Sequence, residues 1–234
     1  MANLYGPKIV TSGLSILLDA NNNKSYPGSG NTWYDISGNN QNGTIYPRTD
    51  GFTVSNRYLS FPDTSVHPTN VNSYAYIQTP ISTGSISYTA TAFVRVYSTN
   101  YSTTERHIVR TSNNFGIHTE GSSSRLKAFT TNYNVEAFNS PNGSFLPNIW
   151  YMVTLVYDRD NYNQKLYINA ILQATKTHTV QYNLGTAYIR WLARDDTYVS
   201  GLNGDCGLLS FYTRALSASE ILQNYNATKG RFGL

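Results

Sequence analysis

Apolar and polar positions alternate with a period of two along most of the chain, in short runs broken by clusters of Gly, Pro, Asn, Asp and Ser. In Thr154-Leu155-Val156-Tyr157 and Lys165-Leu166-Tyr167-Ile168 the bulky residues are β-branched or aromatic, which suits a pleated, half-buried surface. The pattern predicts strands over residues 13–20, 58–61, 75–79, 88–97, 107–111, 114–119, 125–131 and 134–138, then 150–158, 165–169, 187–192 and 205–212. With no helical period between them, these strands predict a sandwich or barrel and not a βαβ fold. One helical signal stands near the end. Ser217 followed three residues later by Glu220 is a capping box, predicting a short helix that ends near Asn226. Gly230 and Gly233 then predict a tail over 227–234, and residues 1–12 read as an N-terminal arm. No break in composition divides the 234 residues, so 1–234 reads as a single domain.

Composition narrows the class. Charged residues make up 13% of the chain, about half the usual share. Neutral polar residues and 20 tyrosines take their place, as turn-rich β structure requires. The net charge of +4 is not clustered: Arg190 and Arg194 run straight into Asp195 and Asp196. A nucleic-acid footprint needs a basic patch, so no nucleic-acid partner is expected. No segment approaches the ~20 apolar residues of a membrane-spanning helix, and the first residues lack the basic start of a signal peptide. The lone Cys206, in Gly-Asp-Cys-Gly-Leu-Leu, reads as a small buried hydrophobe at a strand start.

Four blocks then resemble a known family. Residues 147–158, PNIWYMVTLVYD, are similar to the tryptophan-led strand of laminin-G-like, concanavalin A-like domains. Residues 166–170, LYINA, resemble the hairpin that follows it, with Ala170 where that family usually has Gly. Residues 203–221 resemble its closing block, and residues 88–95 resemble an inner strand, with Phe93 for the family's Trp. The opening segment 13–44 and the ending RALSASEILQNYNATKGRFGL are similar to laminin-G-like proteins of tailed phages. The resemblance implies an all-β, two-sheet antiparallel jelly-roll sandwich, its first and last strands close together, with one short C-terminal helix. It further implies a virion structural protein, made in the host cytoplasm and carried on the particle as a capsid decoration, head fibre or tail-associated subunit. Its partners would be other capsid or tail proteins and host-surface glycans, with room for a homo-oligomer. A carbohydrate-binding lectin or adhesin not tied to a virion is the alternative.

The residues show little catalytic chemistry, and no enzyme is expected. Glycanases on this sandwich resemble one another in an E-x-D-x-x-E strand, whose alternate carboxylates face one way as nucleophile and acid. The glutamates here are Glu105, Glu120, Glu136 and Glu220, none with an acidic residue two or five positions on. There is no G-x-S-x-G, and His67, His107, His118 and His178 sit in no motif; His107 and His118, which flank strand-like segments, read as surface or satisfied histidines. One cysteine and scattered histidines do not supply a zinc site. For calcium, the Asp pair common in relatives is missing after Phe61, and Asp195-Asp196 is the remaining candidate; a turn explains that pair equally well. Trp150 and Trp191 read as core. Tyr97, Tyr101 and Tyr133 are the candidates for glycan or partner contact. The N-x-S/T sequons at Asn42, Asn100, Asn142 and Asn226 are expected by chance in so Asn-rich a chain.

The segment SYPGSGNTWYDISGNNQNGT, residues 25–44, poses one further choice. Its Trp33 could be a ligand platform or a plug. Gly and Pro punctuate it into tight turns, and Asp35, Ser37 and Asn39 suit local side chain-to-backbone bonds. The expectation is a compact Ω-type loop with Trp33 buried and Asp35 accepting backbone N–H groups.

Overall fold

The computed structural model describes residues 7–46, 52–55, 57–61, 76–80, 86–97, 106–111, 115–120, 123–130, 137–182, 188–192 and 203–234. Its strands in chain order are β1 (Leu14–Asp19), β2 (Thr32–Trp33), β3 (Gly43–Tyr46), β4 (Thr53–Val54), β5 (Leu59–Phe61), β6 (Tyr76–Pro80), β7 (Tyr88–Val96) and β8 (Arg106–Thr111). They continue as β9 (Phe115–Glu120), β10 (Arg125–Thr130), β11 (Phe138–Asn139), β12 (Trp150–Asp158), β13 (Asn163–Ile168), β14 (Ile171–Thr177), β15 (Tyr188–Trp191) and β16 (Gly204–Tyr212). Helix α1 (Ala218–Thr228) and a 3-10 turn (Lys229–Phe232) follow.

Among the described residues these strands form two eight-stranded antiparallel sheets. Sheet A runs β14-β13-β12-β7-β16-β5-β4, with β1 also on β16; sheet B runs β11-β10-β9-β8-β15-β6-β3-β2. The first and last strands pair, Leu18 opposite Leu209, as a jelly-roll sandwich requires. The period-two pattern explains what fills the space between the sheets. Ala90, Ala92, Val94 and Val96 of β7 and Val153, Leu155 and Tyr157 of β12 meet Ile77, Ile117, Leu126 and Trp191 from sheet B in one core.

The alternate residues of sheet A face outward and are covered. Phe93, Met152, Val156, Leu208 and Tyr212 form a second apolar layer beneath Val10 of the arm, Ile221 of α1 and Phe232. The capping box is present: Ser217 Oγ accepts from the Glu220 N–H, and the Glu220 carboxylate accepts from the Ser217 N–H. The chain beyond Asn226 is not a released tail. Helix α1 continues to Thr228, and the 3-10 turn inserts Phe232 between Phe93 and Trp150, ring centroids 4.6 and 4.7 Å away. Gly207 makes room for that ring, because a Cβ there would lie 2.2 Å from a Phe232 carbon. Apolar burial at the end of the chain, which burying a Phe rewards with roughly 2 kcal/mol, outweighs the freedom of the two glycines.

Two other expectations need correction. Trp150 is half-buried on the outer face of sheet A, not in the inter-sheet core, because β12 places Tyr151 and Val153 inward instead. Of the two readings of His107 and His118, surface or satisfied, the structure gives the second: both are fully buried on sheet B, rings 5.2 Å apart. The strands β2, β3, β4 and β14 were not anticipated, being short, polar or at a sheet edge.

Candidate functional site

The segment 25–44 is scaffold. Trp33 is 0% exposed, packed edge-on against Tyr26 in the core. Asp35 is its anchor: Oδ1 accepts from the N–H groups of Leu17 and Ser37, and Oδ2 from Gln41 N–H and Ser37 Oγ–H. Ser25 Oγ adds a bond to the Tyr34 carbonyl and accepts from Asp19 N–H. A loop that forgoes ladder bonds satisfies its backbone in this way.

Tyr97 lies at the far end of β7 and is half-buried. Its hydroxyl is 2.5 Å from Asp205 Oδ1 and 2.7 Å from Ser60 Oγ. Burial and the Asp205 bond hold its pKa above the ordinary phenol range. Asp205 is 0% exposed and accepts Arg95 Nε and Nη2 at 2.6 Å each. The Arg95 guanidinium lies over the rings of Tyr58 and Trp150, 5.3 and 5.4 Å from their centroids. Burial works against the Arg95 charge, but the Asp205 bond outweighs it and raises its pKa. Tyr97 is thus joined to a buried ion pair. Tyr101, Tyr133, Asp195 and Asp196 lie outside the described residues. Cys206 is buried, and burial pushes its thiol far above the ordinary value.

The outer face of sheet B, free of α1, presents a different arrangement. Register places Thr32, Thr44, Gln78, Arg190, Arg110, Gly116 and Phe129 in one row across β2, β3, β6, β15, β8, β9 and β10. All of them alternate with core residues (Trp33, Ile45, Ile77, Trp191, Val109, Ile117, Ala128), so the row faces outward. Exposure grades along it. Thr32 and Thr44 are exposed, Gln78 is half-buried, and Arg190 and Arg110 are buried. Tyr46, 40% exposed, and half-buried Tyr188 flank the row on the same face.

The inner part of the row is locked by stacking. The Phe129 ring covers Gly116, where a Cβ would approach it to 2.5 Å. The Arg110 guanidinium sits 5.2 Å from the Phe129 centroid and that of Arg190 5.2 Å from the Tyr188 centroid. His107 and His118 pack beside Phe129. Hydroxyls, a planar amide, arginines and phenol rings thus share one surface. The sequence hid this row because no two of its residues are neighbours in the chain.

Three further described carboxylates have structural partners. Asp19 pairs with Arg231 at 2.6 Å, Glu120 pairs with Arg125, and Glu220 pairs with Arg214 at 2.6 Å. Among the described residues no three His, Cys, Asp or Glu side chains gather as metal ligands, and no helix is long and apolar enough to cross a membrane.

A two-sheet antiparallel sandwich of this kind is the lectin-type fold. Residues 68–222, more than half of the chain, match the laminin-G family described as the concanavalin A-like lectin/glucanases superfamily, and the chain belongs to that family. No protein of curated function matches it. Among solved structures it is similar to the ligand-binding domain of botulinum neurotoxin serotype D in complex with N-acetylneuraminic acid. There the TM-score is 0.66 and the identity 12%, over 94% of this chain and 52% of that one. It is similar to the binding domain of paraclostridial mosquitocidal protein 1, with TM-score 0.61 and 17% identity over 92% and 52%. A structure of botulinum neurotoxin type C, whose cell entry is described as dependent on two ganglioside molecules, gives 0.65 and 14% over 93% and 52%. These identities show a common fold. The chain spans about half the length of each of these structures.

Proposed function

We propose that this domain is a glycan-binding adhesion module, not an enzyme, and that it is displayed on a virion surface as a capsid decoration, head fibre or tail-associated subunit. The observation that carries the binding role is the outward row Thr32–Thr44–Gln78–Arg190 with Tyr46 and Tyr188 beside it. Sugars are recognised by stacking of their apolar faces on aromatic rings, and by planar amides and hydroxyls that meet their own hydroxyls. Neighbouring strands are ~4.8 Å apart, so Thr44 to Arg190 spans roughly 10 Å, about the reach of a disaccharide. The covered face of sheet A, with both the arm and α1 on it, is the side turned toward the carrier.

The toxin ligand-binding domains that share the fold support a binding role, one of them in complex with N-acetylneuraminic acid. The virion setting is supported by the likeness of the opening and closing blocks to phage laminin-G-like proteins. The partners on the particle would be capsid or tail proteins, with a homo-oligomer as one mode of display. A lectin not tied to a virion is the second reading, favoured by the same row. A glycan array probed with and without calcium tests the binding role: hits that weaken in Tyr46→Ala and Gln78→Ala are expected, and a blank array overturns it. Mass spectrometry of purified particles tests the setting: fixed stoichiometry is expected, and absence from particles leaves the free lectin.

A further inference from the structure

We infer that the ligand of this face is a linear, neutral oligosaccharide of three or more rings, laid along β2 and β3 between Tyr34 and Tyr46. The inference rests on the binding face assigned above and specifies the length, direction and charge class of what it takes.

Exposure sets the direction. Across the strands the row closes quickly: Thr32 and Thr44 are exposed, Gln78 is half-buried, and Arg190 beyond it is buried. Along the strands the surface stays open. Tyr34 follows β2 and alternates with buried Trp33 and Asp35, which turns it to the side of Thr32. Tyr46 ends β3 and alternates with buried Ile45, on the side of Thr44. The two tyrosines are 45% and 40% exposed, so a ligand reaches both from solvent.

Register sets the spacing. Thr32 pairs with Thr44, and β2 and β3 run antiparallel. Tyr34 lies two residues past Thr32, and Tyr46 lies two residues past Thr44 on a strand of opposite direction. The two rings therefore flank the Thr32–Thr44 pair from opposite ends. With ~3.4 Å per residue and one strand spacing sideways, their Cα atoms are roughly 14 Å apart. That is more than a disaccharide covers.

The chemistry suits a sugar chain of that length. A ring at each end stacks on the apolar face of a sugar. Between them stand the Thr32 and Thr44 hydroxyls, with Gln78 beside Thr44. Among the described residues the side chains of Thr32, Thr44 and Gln78 hold no hydrogen bond within the chain, so their donors and acceptors meet sugar hydroxyls directly. All five side chains of this strip are uncharged. A charged sugar would lose hydration there and gain no ion pair from them.

The test is calorimetry with cello-, malto- and chito-oligosaccharides of two, three and four rings. In at least one series affinity is expected to rise about tenfold from two rings to three or four, the gain from a second stacked ring. Tyr34→Ala should remove that gain and bring the longer chains down to the disaccharide, and Tyr46→Ala, at the other end, should do the same. Tyr34→Phe, which keeps the ring, should keep the gain. Both positions are exposed, so unchanged thermal midpoints are expected. Should Tyr34→Ala fail to fold, Tyr34→Phe and the wild-type length dependence decide. Affinity that ignores ring number, or a gain that survives Tyr34→Ala, overturns the strand-parallel ligand and leaves the glycan face standing. Blank ladders with hits elsewhere on the glycan array overturn this inference alone. Blank ladders with a blank array overturn the face as well.

Discussion

Asp205 faces Arg95 across the β7–β16 pair, its Oδ2 2.6 Å from the guanidinium and its side chain fully buried. The Tyr97 hydroxyl takes the other oxygen, so three groups from two strands close one end of sheet A. A buried carboxylate is stable only with all its partners in place. Removing the carboxylate in Asp205→Ala strands the Arg95 charge between Tyr58 and Trp150. It is expected to lower stability by about 2–3 kcal/mol, less than for a wholly buried pair because Arg95 is partly in solvent. Asp205→Asn should lose less. Urea unfolding of both variants checks the order.

Asp35 predicts a similar loss from a different cause. Asp35→Ala leaves the Leu17, Ser37 and Gln41 N–H groups without their acceptor. A loss of about 2–4 kcal/mol is expected, with hydrogen exchange faster at those amides. Trp33→Ala, emptying a core position, should cost about 3–5 kcal/mol. Survival of either variant at wild-type stability would show that the loop is not the fastener described.

The β13–β14 turn holds strain that one substitution should release. Asn169 and Ala170 have φ of 50° and 64°, a two-residue hairpin turn with both residues in the left-handed region. Asn tolerates this, and its side chain accepts from Met152 N–H. Alanine does not. Ala170→Gly removes about 1–2 kcal/mol of strain and gives back about half through the greater freedom of the unfolded chain. The thermal midpoint should rise by a degree or two.

Glu220 supplies a pH dependence. The Arg214 guanidinium, bonded to both carboxylate oxygens, and the Ser217 cap hold its pKa down to about 2 from an ordinary 4.5, against the opposing effect of burial. A depressed carboxylate stabilises the fold fully above pH 4.5, and the contribution is lost as pH falls from 4.5 toward 2. Glu220→Gln is therefore expected to lose about 1 kcal/mol at neutral pH. Its urea midpoint should also show a shallower fall between pH 4.5 and 2.

The strand pattern, the capping box, the two-sheet class and the Trp33 plug were all legible in the chain. Each is a local matter: period-two alternation, a serine three residues before a glutamate, side chains that bond their own backbone. The strands that escaped notice have few apolar positions of their own. β2 is only Thr32–Trp33, and β14 is largely exposed at a sheet edge, so neighbouring strands define them. The end of the chain looked free because Gly230 and Gly233 flank Phe232, and only the slot between Phe93 and Trp150 shows where that ring goes. The outward row of sheet B was the least visible of all. Thr44, Gln78 and Arg190 lie far apart in sequence, and pairing of β3, β6 and β15 brings them side by side. Local chemistry decides which segments become strands. Which side chains share a surface depends on long-range strand order, and only the packed sandwich specifies that.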